Sequence, residues 1–271
     1  MKKIYYILTI AITASMIVSC SDKKEASQAQ EEVKPTPNEI AIQEFKYPIP
    51  TSFQVTKLLQ DADASFIVGI TNPVENADKY ETRKDKALNL GIYGADLSYA
   101  STYNQQEETM LFLDATRKLI NGLELSGVFN EQMASSIETN IENKDSLISI
   151  VTQSFYDTYE ELNKNGESKL SLLVVSGSWI EALYISCQLA VSSDYDKRLM
   201  DVVAKQKISA KKLAELCEQY GEDDEDIQAI LPLIRFMNLV YDGVIEEVGI
   251  TEGQLGDILE NVTNTRNRII G

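Results

Sequence analysis

From Leu170 to Val191 the chain is apolar on every side of a helix, interrupted by a single carboxylate, Glu181. A helix without a polar face cannot lie at a water boundary, so it either crosses a bilayer or becomes the middle of a bundle. The segment is long enough to span a membrane. Gly177, the serines and a central carboxylate weigh against hydrocarbon surroundings, and the centre of a large helical bundle is the expected place. Such a centre must be covered on all sides, and the rest of the sequence has to supply the cover.

It does so with helices. Thr51 or Ser52 can cap a first helix running to about Gly69, and Asn72-Pro73 breaks the pattern. Helical spacing resumes from Ala77 to Tyr103 and from Gln105 to Leu125, and Asn130 can cap a short helix through Ile141. The next helix, Asp145 to about Leu162, carries Leu147, Ile150, Val151, Phe155 and Tyr159 on one face and stops at Asn165-Gly166. Beyond the apolar segment, helices are predicted over Asp196 to Val203, Ser209 to Tyr220, Asp224 to Val248 and Thr251 to about Arg268. Pro232 should kink its helix or sit in the first turns. No alternating strand pattern occurs. The expected fold is all-α, a bundle of about eight to ten helices over residues 51–271.

Two phrases recur along this domain. Gly91-Ile92-Tyr93-Gly94-Ala95-Asp96-Leu97 aligns with Gly177-Ser178-Trp179-Ile180-Glu181-Ala182-Leu183 at an offset of 86 in glycine, aromatic and leucine positions. Tyr156-Asp157 with Glu160-Glu161-Leu162 resembles Tyr241-Asp242 with Glu246-Glu247-Val248 at nearly the same offset. Two pseudo-symmetric units, 77–164 and 168–248, would account for this; so would chance recurrence. The period is too long for the common helical repeats.

The amino terminus carries an address. Met1-Lys2-Lys3 precedes an apolar run from Ile4 to Val18, the layout of an export signal. The run ends Ile17-Val18-Ser19-Cys20, which resembles the bacterial lipobox. The resemblance implies cleavage after Ser19 (residues 1–19 being the signal peptide) and a diacylglyceryl group on Cys20. It further implies acylation, palmitate-like, of the new amino group; the physics agrees, since one acyl chain anchors only marginally and two or more anchor stably. Ser21 leans towards the outer membrane facing the periplasm; surface display is the alternative. Residues 20–50 read as the lipidated cysteine and a tether, polar, aperiodic and holding four of the six prolines.

Composition excludes several classes of function. The net charge is −17, and losing Lys2 and Lys3 with the leader takes it to −19. Such a surface repels nucleic acid, whose binding depends on neutralising phosphates. There is no histidine, which removes the Ser-His-Asp and Cys-His schemes and the histidine-containing zinc sites. No phosphate-binding glycine loop or dinucleotide fingerprint is present, and no cofactor or metal is expected. The acidic run Glu222–Asp226 lacks the ligand alternation of a calcium loop and reads as a helix start. Cys187 and Cys217 lie within predicted helices, where buried free thiols are favoured over a disulfide.

Chemistry, if any, should gather around three charged residues in apolar company: Asp96, Glu181 and Arg235. Buried carboxylates are rare unless paired. They either form a buried salt-bridge network or line a pocket for a cation or an acid–base step. Tyr93 and Trp179, with Tyr99, Tyr103 and Tyr184, lie on the same helices and fit either core packing or an aromatic cleft for a small ligand.

The phrase Leu90-Gly91-Ile92-Tyr93-Gly94-Ala95-Asp96-Leu97-Ser98-Tyr99, together with the lipobox, resembles a group of uncharacterised helical lipoproteins of Bacteroidota. That resemblance implies an envelope lipoprotein and brings no activity with it. The expected role is a lipid-anchored scaffold or binding protein serving an unknown envelope partner. A small-ligand or cation-binding lipoprotein is the alternative, and a carboxylate enzyme comes last.

Overall fold

The computed structural model describes residues 51–125, 131–221, 224–245 and 248–271. The export signal, Cys20 and the tether lie outside the described residues, as do Asn130, Glu222, Asp223, Glu246 and Glu247. Among the described residues the chain forms α1 (Ser52–Asp61), α2 (Arg83–Thr102), α3 (Gln106–Gly122), α4 (Glu131–Thr139) and α5 (Lys144–Lys164). It continues with α6 (Ser168–Ser192), α7 (Lys197–Ala204), α8 (Gln206–Gly221), α9 (Glu225–Asp242) and α10 (Glu252–Ile270). A short 3-10 turn, Val74–Asp78, interrupts the strap between α1 and α2. The described residues contain no strand, only an isolated bridge between Ile245 and Gly249. The fold is an all-α bundle, as expected.

Two helices make the centre. In α6 every residue from Leu170 to Ala190 is buried except Val175, Tyr184 and Gln188, which are half-buried. By length and hydropathy α6 could cross a membrane, but 89% of its apolar window is buried inside the protein. In α2 everything from Ala87 to Thr102 is buried. Both helices are rich in small residues, and their serines satisfy themselves on their own helix. Ser98 Oγ donates to Gly94 O at 2.8 Å, Ser176 Oγ to Leu172 O at 2.8 Å and Ser186 Oγ to Ala182 O at 2.6 Å.

Small side chains allow α2 and α6 to cross backbone against backbone. A Cβ added at Gly91 would overlap the carbonyl oxygen of Val174, and one at Gly177 would overlap that of Leu88. Each glycine therefore meets the residue three positions before the other. These are the glycines aligned by the recurrent phrase, so the crossing has a local pseudo-twofold character. The likeness weakens further out: α5 packs on both α2 and α6, with the Phe155 ring against Gly94, whereas α9 packs mainly on α8 and α10.

The remaining elements wrap this pair. α1 runs alongside α2 in the same sense, with Ser52 and Thr56 hydroxyls facing those of Ser98 and Thr102 at 3.4 and 3.3 Å. Thr51 caps α1 and Thr251 caps α10, each with a reciprocal glutamine three residues on. Asp224 caps α9 through the amides of Asp226 and Ile227, so the described part of the acidic run, Asp224 to Asp226, opens a helix. The first helix is shorter than its spacing predicts. It ends at Asp61 rather than near Gly69, because Asp63 and Gly69 turn left-handed (φ 61° and 81°). The released strap is then held by tertiary contacts. The Phe66 ring stacks on Tyr99 with centroids 4.7 Å apart, and Ile67 N donates to Tyr99 Oη at 2.8 Å. The 3-10 turn takes up the residues expected to begin the next helix, which starts only at Arg83 with Thr82 as its cap.

Candidate functional site

Glu181 follows Gly177 by four residues and Asp96 follows Gly91 by five, so each carboxylate emerges about one turn beyond the glycine crossing. Both helices run the same way through that crossing, and the two side chains meet. Asp96 and Glu181 are fully shielded from solvent. Of the three charged residues that the sequence sets in apolar company, these two lie side by side in the core.

Their counter-charge is a different residue from the one the sequence suggested. Arg235 lies on the outer side of α9, more than half exposed, with Nε donating to Glu218 Oε1 at 2.8 Å; it takes no part in the buried network. The cation is Arg266, from α10. Its Nε donates to Glu181 Oε2 at 2.5 Å and its Nη2 to Glu181 Oε1 at 2.8 Å, and Nη2 also reaches Ile70 O at 3.2 Å. The guanidinium sits over the Tyr184 ring, 4.4 Å from its centroid. Arg235 misled because Leu233, Ile234, Phe236 and Met237 surround it in sequence; on the helix, Ile234, Met237 and Tyr241 turn inward while Arg235 and Phe236 turn out. Arg266 was hidden among Thr263, Asn264, Thr265 and Asn267. The signal that finds it is helical spacing: it continues the buried row Leu255, Ile258 and Val262.

Asp96 is held by the strap. Its Oδ2 accepts from the backbone amide of Asn72 at 3.1 Å, while Oδ1 is buried without a donor among the described residues. Around it runs an amide and phenol network. Asn72 Nδ2 donates to Tyr80 Oη at 3.0 Å and Asn89 Oδ1 at 3.4 Å, and Asn72 Oδ1 accepts from Asn76 Nδ2 at 2.8 Å. Lys79 Nζ, at the surface, donates to Asn76 Oδ1 at 2.7 Å. Asn89 Nδ2 and Tyr80 Oη donate to Ile269 O and Ile270 O at 3.1 and 3.3 Å, satisfying carbonyls that a helix end leaves open.

The electrostatics follow from burial. Removal from water pushes the Asp96 carboxyl well above the usual carboxylate range, and the neighbouring Glu181 charge adds to the rise; Arg266 and the Asn72 amide only partly oppose it. Burial lowers the Arg266 pKa, but the bond to Glu181 outweighs it and the net direction is up. A neutral Asp96 can place its proton towards Glu181, leaving one carboxylate for one guanidinium.

The aromatic candidates serve the packing. Tyr93 is wholly buried and its Oη donates to Pro73 O at 2.7 Å, pinning the strap. Trp179 is 3% exposed, and its Nε1 has no acceptor among the described residues. Tyr99 and Tyr103 pack edge to face with centroids 5.0 Å apart. An open groove of about 590 Å³ exists elsewhere, lined by Tyr195, Lys197, Met200, Asp201 and residues 248–253; neither Tyr93, Trp179 nor the carboxylate pair reaches it. Among the described residues no group of three histidine, cysteine, aspartate or glutamate side chains is arranged to hold a metal.

The thiols are also structural. Cys187 and Cys217 are buried and free. Cys217 lies beside Ser176 on α6. Cys187 is eleven residues further along that helix, a rise of about 16 Å, beyond the reach of a disulfide.

Comparison with known proteins returns no match: no protein-family model, curated protein or solved structure is similar to this chain.

Proposed function

We propose that the chain is a lipid-anchored, non-catalytic binding module of the cell envelope, tied to the outer membrane through Cys20 and presenting α9 to a protein partner. The observation that carries the reading is the outer face of α9. Phe236 and Leu239 are 52% and 62% exposed, and Ile245 and Val248 just beyond the helix are more than half exposed. Phe236 and Leu239 stand three residues apart and so neighbour each other on one face of α9, and exposed apolar side chains that cluster mark an interaction surface. The strongly acidic chain, with Asp242 beside the row, fits a partner segment that is apolar in the middle and basic at its edges. The carboxylates that might have carried chemistry are engaged in ties within the core, which also favours a surface role.

The test uses a photo-crosslinking residue at 236 or 239 in the full chain, expressed in its own envelope, with position 57 on the exposed side of α1 as control. A discrete protein adduct from α9 and not from α1, lost in Leu239→Asp, is expected. Repeated absence of an α9-specific adduct overturns the reading. Labelled palmitate should enter the unaltered chain and not Cys20→Ala; label in both or in neither overturns the anchor assignment separately from the docking face.

A further inference from the structure

The buried cluster contains two carboxyls and one guanidinium, and this count has a consequence for the strap and for α10. Glu181 spends both oxygens on the Arg266 fork. Asp96 has one oxygen on the Asn72 amide and another with no donor, in a place without solvent contact. An ionised Asp96 would leave an uncompensated charge in the core, which is far costlier than a neutral acid. The groups facing the pair are few: Tyr93 from α2 itself, Tyr80 from the strap, Tyr184 beside Glu181 on α6, and Arg266 from α10, with Lys79 reaching Asp96 only through Asn76 and Asn72. Arg266 alone among them brings a positive charge into the cluster.

We propose that Asp96 and Glu181 hold one shared proton, and that this proton keeps the strap at 70–73 and the C-terminal turns of α10 closed over them, so that the fold opens locally when the surroundings become alkaline. The cover is made of the groups the proton supports. Asn72 N binds Asp96, Ile70 O binds Arg266, and Asn89 and Tyr80 hold the last carbonyls of α10. Opening this cover admits water to Asp96 and releases its proton to solvent. Each opening event then loses one proton, and the opening equilibrium rises up to tenfold per pH unit above the ordinary carboxylate range until Asp96 ionises in the closed form.

The acidic surface also loosens the protein as pH rises, so the test is a difference. Amide exchange is followed in the full chain and in Asp96→Asn from pH 6 to 9. Asparagine can accept from Asn72 N and donate towards Glu181 with no proton to lose, so the ratio of the two proteins' exchange rates cancels the intrinsic pH dependence. The ratio at residues 70–72 and in the last turns of α10 should climb with pH, by up to tenfold per unit, and stay flat in α3. A flat ratio at the cover overturns the proposal. Should Asp96→Asn fail to fold, infrared spectra of the unaltered chain decide: a protonated carboxyl band persisting at neutral pH supports the shared proton, and its absence overturns it. Glu181→Gln gives an independent check, since Asp96 then becomes the sole counter-charge of Arg266 and the slope should vanish.

Discussion

Arg266 grips Glu181 with two nearly parallel hydrogen bonds, at 2.5 and 2.8 Å, in a place where neither residue touches appreciable solvent. Removing one partner of a buried pair strands the other. Arg266→Ala should therefore cost about 3–5 kcal/mol of stability, whereas Arg235→Ala, which breaks an exposed pair with Glu218, should stay within about 0.5 kcal/mol. Denaturant melts of the two variants check this, and similar losses would show that the buried pair is not the keystone.

The glycine crossing predicts a second contrast. Alanine at Gly91 or Gly177 would drive a methyl group into a backbone carbonyl, and α2 and α6 would have to separate. Each should lose about 3 kcal/mol, at the upper end of overpacking penalties. Gly256, in α10, has nothing near its absent Cβ and no positive φ. Gly256→Ala should be neutral or stabilise by up to about 1 kcal/mol through helix propensity. Thermal melts of the three variants separate the cases.

The thiols should be silent in the native state. Burial pushes the Cys217 thiol up to about 12, only partly offset by Ser176, and burial raises Cys187 as well. Thiolates are the reactive form, so a domain beginning at Thr51 should not react with a thiol reagent when folded. It should take up two equivalents when unfolded, with or without prior reductant. One mole of disulfide in the native domain would contradict the separation along α6.

The α10 cap offers a gentler probe. Thr251 accepts from Gln254 N at 3.2 Å while Gln254 Oε1 accepts from Thr251 N at 2.9 Å. Thr251→Ala should cost about 1 kcal/mol. Because α10 carries Arg266, the loss should show first as faster amide exchange in that helix; an effect spread evenly over the bundle would mean that α10 does not fray on its own.

Much of the fold was legible because helix signals are local. Asp224, Thr251 and Asn165-Gly166 mark helix ends through bonds made within a few residues, and the all-round apolar character of Leu170–Val191 states that it must be central. Asp96 and Glu181 could be recognised as buried from their neighbours alone. The strap is less legible, since the spacing of Leu58, Leu59 and Phe66 continues a helix that the chain abandons at Asp61 to stack Phe66 on Tyr99.

By itself, then, the sequence determined the helical class, the order and approximate limits of the helices, the central place of α6 and the burial of two carboxylates. All of these follow from periodicity and from groups within one or two turns. Tertiary structure decided which cation meets the carboxylates, that the crossing closes on Gly91 and Gly177, and that Tyr93 and Tyr99 pin the strap. Those choices join residues as distant in sequence as Glu181 and Arg266. They depend on helix faces brought together by packing, and no local pattern around Arg235 or Arg266 carries that information.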